Sequence, residues 1–291
     1  AWRWPGAGVA VKADGPNASR HRRRRRWAIR LVGAAVLLGG AASAGLAFAW
    51  VTNPFPESRL ERWDRTRTVT ASDGTPLLQL VGRDEQWRTP LPLAAHSPLL
   101  AAATVAVEDR RFREHHGVDP WAVVRAAWQN LSSGRVVSGA STLSMQVCRM
   151  MDDRPRTLES KAIEAFRALQ LERLRSKDQI LEHYLNVAPY GGNVRGAGAA
   201  ARRYFGKPAD RLSLAEAALL AGLPQSPERL RPDRHPDAAR TRRATVLAAM
   251  FDAGFITEDQ RAAADAEPVR VLPRGGGGDH APPAALASHA A

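Results

Sequence analysis

The sequence predicts an all-α domain preceded by one transmembrane helix and a small hairpin linker. Three observations carry this reading. An uncharged run of 21 residues comes after a cluster of arginines. Two short β-type stretches flank a Ser-Asp-Gly turn. From 98 to 253, amphipathic stretches with helical spacing succeed one another, most of them separated by glycine or proline.

Residues 1–30 hold nine Arg or Lys and one Asp, so +8 of the formal net charge of +13 lies in this arm. A basic arm suits nucleic acid or an anionic membrane face, and the adjoining segment decides between them. Leu31 to Val51 carries no charge and would span about 31 Å as a helix, near the thickness of a hydrocarbon core. Trp27 and Trp50 lie near its ends, where indole rings favour the interface. The run His21-Arg22-Arg23-Arg24-Arg25-Arg26 precedes it. The positive-inside bias therefore predicts a single-pass inner (cytoplasmic) membrane protein. Its amino terminus is cytoplasmic and everything after Val51 is exported. A cleaved signal peptide is the alternative, but its apolar region is usually only about 7–15 residues. Nucleic acid is disfavoured as a partner, because the basic run abuts the span. The single cysteine, Cys148, excludes an intramolecular disulfide. No Cys/His cluster has zinc spacing.

Asn53-Pro54-Phe55-Pro56 ends the apolar helix. Thr66 to Thr70 and Leu77 to Val81 read as strands around Ser72-Asp73-Gly74. Helical stretches come next, at 98–108, 119–131, 141–150, 157–175, 177–187, 194–204, 213–222 and 236–253. Asp119-Pro120 supplies a cap and a first-turn proline, and Ser213 with Glu216 fits a capping box. The expected divisions are a basic arm at 1–30, a membrane helix at 31–51, a linker with the hairpin at 52–92, the helical domain at 93–255 and a tail at 256–291. The end of that tail, rich in Gly, Pro and Ala, lacks the apolar content to fold alone.

Five segments carry chemistry-bearing residues. In the first, Glu108 and Asp109 end an apolar helix, with His115, His116 and Gly117 shortly after. Sugar chemistry needs a carboxylate that takes a proton from a hydroxyl, although acid-rich surface turns are common. The second, from Gly139 through Ser141, Thr142 and Gln146 to Arg149, is a hydroxyl-rich helix start. Its free N–H groups would suit a phosphate or sugar, or it is an ordinary N-cap. In the third, Lys161 and Glu164 share a helix face, with Arg156 near the helix start. Such a cluster holds a pyrophosphate and a divalent ion, or is a surface ion pair. In the fourth, Glu182 and Asn186 share a face beside a packing stripe of Ile180, Leu181, Tyr184 and Leu185. The fifth, 214–225, is an apolar core helix whose Glu216 is a cap.

In order and spacing these segments resemble the five motifs of the family 51 peptidoglycan glycosyltransferases, whose domain heads the class A penicillin-binding proteins and also occurs alone. The resemblance covers about residues 65–255. It implies an α-helical, lysozyme-like fold with a jaw region dipping into the membrane. It also implies polymerisation of lipid II onto a lipid-linked glycan strand, with inversion and loss of undecaprenyl pyrophosphate. Glu108 matches the general base, with Asp109, Phe112, His115 and Gly117 as its motif neighbours, counted here among the substrate-binding candidates. Ser141, Thr142 and Gln146 match cleft-lining positions. Arg149, Arg156 and Lys161 match the cations on the donor pyrophosphate. Glu164 matches the second glutamate, where the family allows a divalent metal, Mg or Mn; no organic cofactor is implied. Glu182, Tyr184 and Asn186 match the fourth motif, which is mainly structural, although Glu182 and Asn186 are also counted here among the substrate-binding candidates. The membrane and other cell-wall synthesis proteins are the implied partners.

Two positions depart from the family pattern, Ser160 for an arginine and Met145 for a glutamine, both expected near the donor site. The class A transpeptidase chemistry needs Ser-x-x-Lys and Lys-Thr-Gly, and neither occurs in this sequence. The glycine-rich stretch from Gly275 falls where such a domain would begin, so a two-domain protein cut short is the expectation. Two other functions remain open from the residues: a lysozyme-like glycan hydrolase, and a non-catalytic scaffold that binds precursor.

Overall fold

The computed structural model describes residues 16–60, 66–70, 72, 76–81, 84–133, 140–152, 155 and 157–272. The chain divides into two units after Pro54. The first contains helix α1, Pro16–Thr52. Within it Ile29–Thr52, 24 residues with a mean hydropathy of 1.9, is long and apolar enough to cross a membrane. The helix takes in the arginine run as well, so it begins earlier than the apolar segment alone predicts. It stops at Asn53-Pro54, as expected.

The second unit opens with a 3₁₀ turn, Glu57–Arg59. The hairpin comes next: β1 (Arg67–Thr70) pairs antiparallel with β2 (Pro76–Leu80), with Thr68 opposite Gln79. A second pairing is not legible in the sequence. β3 (Trp87–Arg88) lies parallel to β4 (Val194–Arg195). Each strand is two residues long, too short to leave an alternating pattern.

Nine helices make up the rest of the described unit. They are α2 (Pro98–Glu108), α3 (Pro120–Ser133), α4 (Leu143–Asp152), α5 (Leu158–Leu174), α6 (Lys177–Val187), α7 (Ala197–Phe205), α8 (Leu214–Gly222), α9 (Pro236–Asp252) and α10 (Glu258–Ala266). Local chemistry starts them. Asp119 Oδ1 accepts from the N–H groups of Trp121 and Ala122 ahead of α3. Ser176 with Gln179, Ser213 with Glu216 and Thr257 with Gln260 form capping boxes. Gly206, in the left-handed region, closes α7.

Two groups of helices form the core. α2 packs on α8 and α9, and α4 packs on α5 and α6. α8 is all but covered: Ala215, Ala217, Ala218, Leu220 and Ala221 are buried. Its small side chains let α2 and α9 approach closely. Helix α10 lies beyond the boundary expected at 255. Ile256 and Ala264 belong to the core cluster, and α10 packs on α9. Three small alanines, Ala262 to Ala264, leave this short helix without a strong apolar signal.

Helix α3 is the exception to this burial. Trp121, Val124, Trp128 and Leu131, at helical spacing, are 69%, 62%, 71% and 81% exposed.

Gly117 shows why the loop after α2 needs glycine. Its φ is +94°, and an added Cβ would lie 2.6 Å from the carbonyl oxygen of Ala168 on α5. Gly117→Ala should therefore lower stability by at least about 2 kcal/mol in denaturant titration, because φ strain and a backbone clash add.

Candidate active site

Glu108 is the last residue of α2, and Asp109 breaks the helix with φ −159° and ψ 75°. Because α2 is a core helix, its end delivers Glu108 into the interior edge of the fold. Gln146 of α4 donates from Nε2 to Glu108 Oε2 at 2.8 Å. Arg242 of α9 lies 3.8 Å from Oε1, with both side chains largely buried. Oε1 itself is buried and accepts no hydrogen bond among the described residues. A carboxylate oxygen in that state is free to take a proton. Arg242 is a site residue that the sequence reading misses. Burial pulls its guanidinium down, while Glu108 and Tyr184 draw it up.

The neighbours of Glu108 in the first motif bond and pack within the protein. Asp109 is buried; its Oδ2 accepts from the backbone N–H of Leu143 at 3.0 Å, and His115 Nε2 lies 3.0 Å away. An ionised carboxylate only accepts, so the His115 Nε2–H is the donor. Phe112 is fully buried, and Lys177 Nζ lies 4.5 Å from its ring centroid. Thr142 Oγ1 donates to the Gly117 carbonyl at 2.6 Å and accepts from Met145 N at 3.2 Å. The start of α4 is therefore partly occupied by Asp109 and Thr142, as the N-cap alternative for this segment has it, and two of its N–H groups are not free.

Ser141, just ahead of α4, bonds to Lys161 Nζ, which also reaches Glu164 Oε2 at 3.0 Å. The i,i+3 pair expected on α5 is thus present, tied to the second motif through Ser141. Arg149 is half-buried in the last turn of α4 and has no ion-pair partner among the described residues. Arg156, the third expected cation, lies outside the described residues. The two departures from the family pattern do not line this cluster. Met145 is in the core, and Ser160 is buried at the start of α5, where Thr157 Oγ1 donates to its Oγ. Cys148 on α4 is buried, and burial pushes its thiol up to about 12, so it stays protonated.

No three His, Cys, Asp or Glu side chains converge among the described residues. Glu164 offers one carboxylate, already paired with Lys161. That donor set fits a divalent ion shared with substrate phosphates but not an all-protein cage.

Glu182 and Asn186, of the motif expected to be mainly structural, bond to backbone groups. Glu182 Oε2 accepts from Leu93 N at 2.8 Å. Asn186 Oδ1 accepts from Leu91 N at 2.9 Å and its Nδ2 donates to Leu91 O at 2.8 Å. They are on one face, as the spacing predicts, but that face staples α6 to the chain ahead of α2. Tyr184, on the packing stripe, and Tyr190 are buried, and neither hydroxyl has a hydrogen-bond partner among the described residues.

Comparison with known proteins decides what this arrangement belongs to. The model of the family described as Transglycosylase matches residues 73–251. The chain belongs to the transglycosylase family. Among similar relatives, penicillin-binding protein 1C of Escherichia coli is 46% identical over 78% of this chain and 29% of its own length. Penicillin-binding protein 1A of the same organism is 40% identical over 77% of the chain and 26% of its length. The biosynthetic peptidoglycan transglycosylase of Rhodospirillum centenum is 42% identical over 76% of the chain and 88% of its length. The chain thus spans less than a third of the two penicillin-binding proteins. The described helices form the lysozyme-like transglycosylase fold.

If the fourth motif of this transglycosylase is a staple, Asn186→Ala should cost about 2 kcal/mol of stability, because two bonds are lost and the backbone groups of Leu91 are left unpaired. Its KM should stay within about twofold of the parent, since a staple loses no direct substrate contact. Denaturant titration and steady-state kinetics check the two halves.

Proposed function

We propose that the chain is a membrane-anchored peptidoglycan glycosyltransferase that polymerises lipid II into β-1,4 glycan strands in cell-wall biogenesis. The observation that carries this reading is the Glu108 carboxylate: one oxygen fixed by Gln146, the other buried and without a donor, at the edge of a cation-bearing helix pair. Family membership supports the reaction class.

In this mechanism the growing strand is the donor, joined α to undecaprenyl pyrophosphate. The acceptor is the 4-hydroxyl of lipid II. Glu108 Oε1 takes the hydroxyl proton as the oxygen attacks the donor's anomeric carbon from the face opposite the pyrophosphate. The carbon–oxygen bond to pyrophosphate breaks, the electron pair leaves on the phosphate, and the configuration inverts to β. Gln146 keeps the carboxylate aimed. Lys161 and Arg149 face the leaving charge, and preorganised cations of this kind supply a large share of such barriers' reduction. Glu164 is the residue that would hold Mg or Mn together with phosphate oxygens, and such an ion would supply charge neutralisation there. A hydrolase would need no cation cluster at this place.

Both substrates carry lipid tails, so the enzyme works at the leaflet that dissolves them. The helix Ile29–Thr52 supplies the anchor, with the arginine run on the cytoplasmic side and the helical domain outside. The exposed face of α3 suits the same surface: Trp121, Val124, Trp128 and Leu131 expose far more apolar area than a solvated helix requires. The catalytic domain in this proposal runs from about residue 93 through α10.

The full chain in detergent should polymerise labelled lipid II, and Glu108→Gln should lower the rate by roughly 10²–10⁴, the usual worth of a general base. Polymer from the parent but equal polymer from the variant would reject the role of Glu108. Fragments released from finished wall, with no polymer, would favour the hydrolase.

Trp128→Glu tests the leaflet contact. KM for lipid II in vesicles should rise by roughly tenfold, because a charge near the acyl boundary costs a kcal/mol or more. Turnover of a short-chain, water-soluble analogue should be unchanged.

A further inference from the structure

A guanidinium taken out of water is costly unless a nearby anion offsets the loss. Arg242 of α9 is such a group: its side chain is 14% exposed, and its fork faces Glu108. Two contacts hold it in place. Nε donates to the carbonyl of Gly222, the last residue of α8, at 3.3 Å. The stem lies against Gly222 itself, where an added Cβ would come within 2.8 Å of Arg242 Cγ. The other edge of the fork, Nη2, stands 3.8 Å from Glu108 Oε1. That separation is close for two charges but too long for a hydrogen bond. Helix packing sets it, because α9 lies on both α2 and α8.

The other titratable groups around the end of α2 are bonded elsewhere or neutral. Asp109 is tied to His115 and to the Leu143 N–H. Arg110 donates to the Asp252 carbonyl. Glu216 of α8 is tied to Lys207 and to the Ser213 N–H. Arg243, next along α9, donates to the carbonyls of Asp265 and Glu267. Burial keeps the Tyr184 and Tyr190 phenols protonated. Arg149 of α4 is the cation assigned above to the leaving pyrophosphate.

We propose that Arg242 is a positioning residue for the transfer reaction: a fixed counter-charge for the Glu108 carboxylate, set too far back to occupy the Oε1 lone pair that the acceptor hydroxyl needs. This role rests on Glu108 being the general base. A direct ion pair would compete with the sugar for that oxygen. At 3.8 Å the attraction remains and the oxygen stays open, while Gln146 holds Oε2 from α4. No bond is made or broken at Arg242. The acceptor proton passes to Oε1, and the neighbouring positive charge then favours its release to solvent, which restores the base.

The pH profile of polymerisation by the full chain tests this role. A nearby cation favours the ionised form of a carboxylate, and a general base works in that form. Arg242→Gln should therefore move the acid limb of kcat/KM upward by roughly one pH unit, so that the deficit is largest at acid pH and shrinks as pH rises. Arg242→Lys restores a positive charge and should return about half of that shift or more. A structural arginine would lower the rate equally at every pH and leave the limb in place, and that outcome overturns the proposal. An equal shift in both variants would also overturn it, since charge would not be the cause. If Arg242→Gln alone does not fold, its combination with Glu108→Gln should, because no buried carboxylate then faces a missing charge. Failure of both to fold would show a purely structural arginine. The underlying reading is judged separately. If Glu108→Gln abolishes polymerisation and the limb stays fixed in Arg242→Gln, only the role of Arg242 falls. If Glu108→Gln keeps its activity, the reading itself fails.

Discussion

The geometry of the site depends on one buried carboxylate, that of Asp109. It stands at the break where α2 ends, and it accepts from His115 and from the first backbone N–H of α4. Those two bonds close the loop after α2 and pin the end of α2 to the start of α4. Glu108, one residue earlier, is thereby set facing Gln146, one turn into α4. Buried ionised groups are costly unless fully paired, and losing a partner typically costs about 3–5 kcal/mol. Asp109 is retained because it makes a junction that no apolar side chain can make: it satisfies the open N–H of a helix start and a histidine at once. Gly117 and Thr142 finish the junction, the glycine by lying against the α5 backbone and the threonine by bonding the glycine's carbonyl.

The residues of this site divide by what their environment allows. Asp109, His115, Thr142, Glu182 and Asn186 have polar atoms committed to the protein's own backbone and side chains. A second set is less committed: Glu108 Oε1 accepts no hydrogen bond and Arg149 has no ion-pair partner among the described residues, while Lys161, Glu164 and Ser141 bond to one another. The second set sits on the ends of helices whose middles are core. Rigid helices fix it more tightly than loops would, which is what orienting the two lipid-linked sugars of the proposed reaction would demand.

Much of this is legible in the sequence, because the signals are local. The apolar run, the Pro-terminated helix, the two hairpin strands and the capping box of Ser213 with Glu216 all act over a few residues, and each appears where its chemistry places it; Asp73 and Gly74 of the expected turn lie outside the described residues. The pair Lys161 and Glu164 follows from helical spacing alone. The illegible part requires knowledge of the far end of the chain. Arg242 reaches Glu108 from a distant part of the sequence, on a helix whose arginines Arg240, Arg242 and Arg243 look alike in the sequence. Only the packing of α9 on α2 and α8 turns Arg242 toward the carboxylate, while Arg243 is buried on carbonyls of Asp265 and Glu267. For the same reason the sequence reading counts Asn186 and Glu182 toward the substrate. Their shared face is correctly inferred, but what the face meets depends on a chain segment far earlier, around Leu91 and Leu93.

Unpaired polar atoms mark where the fold has been kept short of its own optimum. Elsewhere in the described core some side chains are tied down: the Tyr204 hydroxyl donates to the Tyr190 carbonyl, and Arg231 and Arg203 both meet Asp233, while buried nitrogens of His96, His115, Arg203 and Arg243 lack a hydrogen-bond partner among the described residues. Glu108 Oε1 and the Tyr184 and Tyr190 hydroxyls stand open as well, although a hydrophobic replacement would remove the cost of the phenols. A folded protein tolerates such losses where a ligand will complete the bonds, since the free energy returns only when the reacting group is in place. One such deficit lies at Glu108, and the junction one residue away, where Asp109 accepts from His115 and from Leu143, holds the end of α2 that carries it.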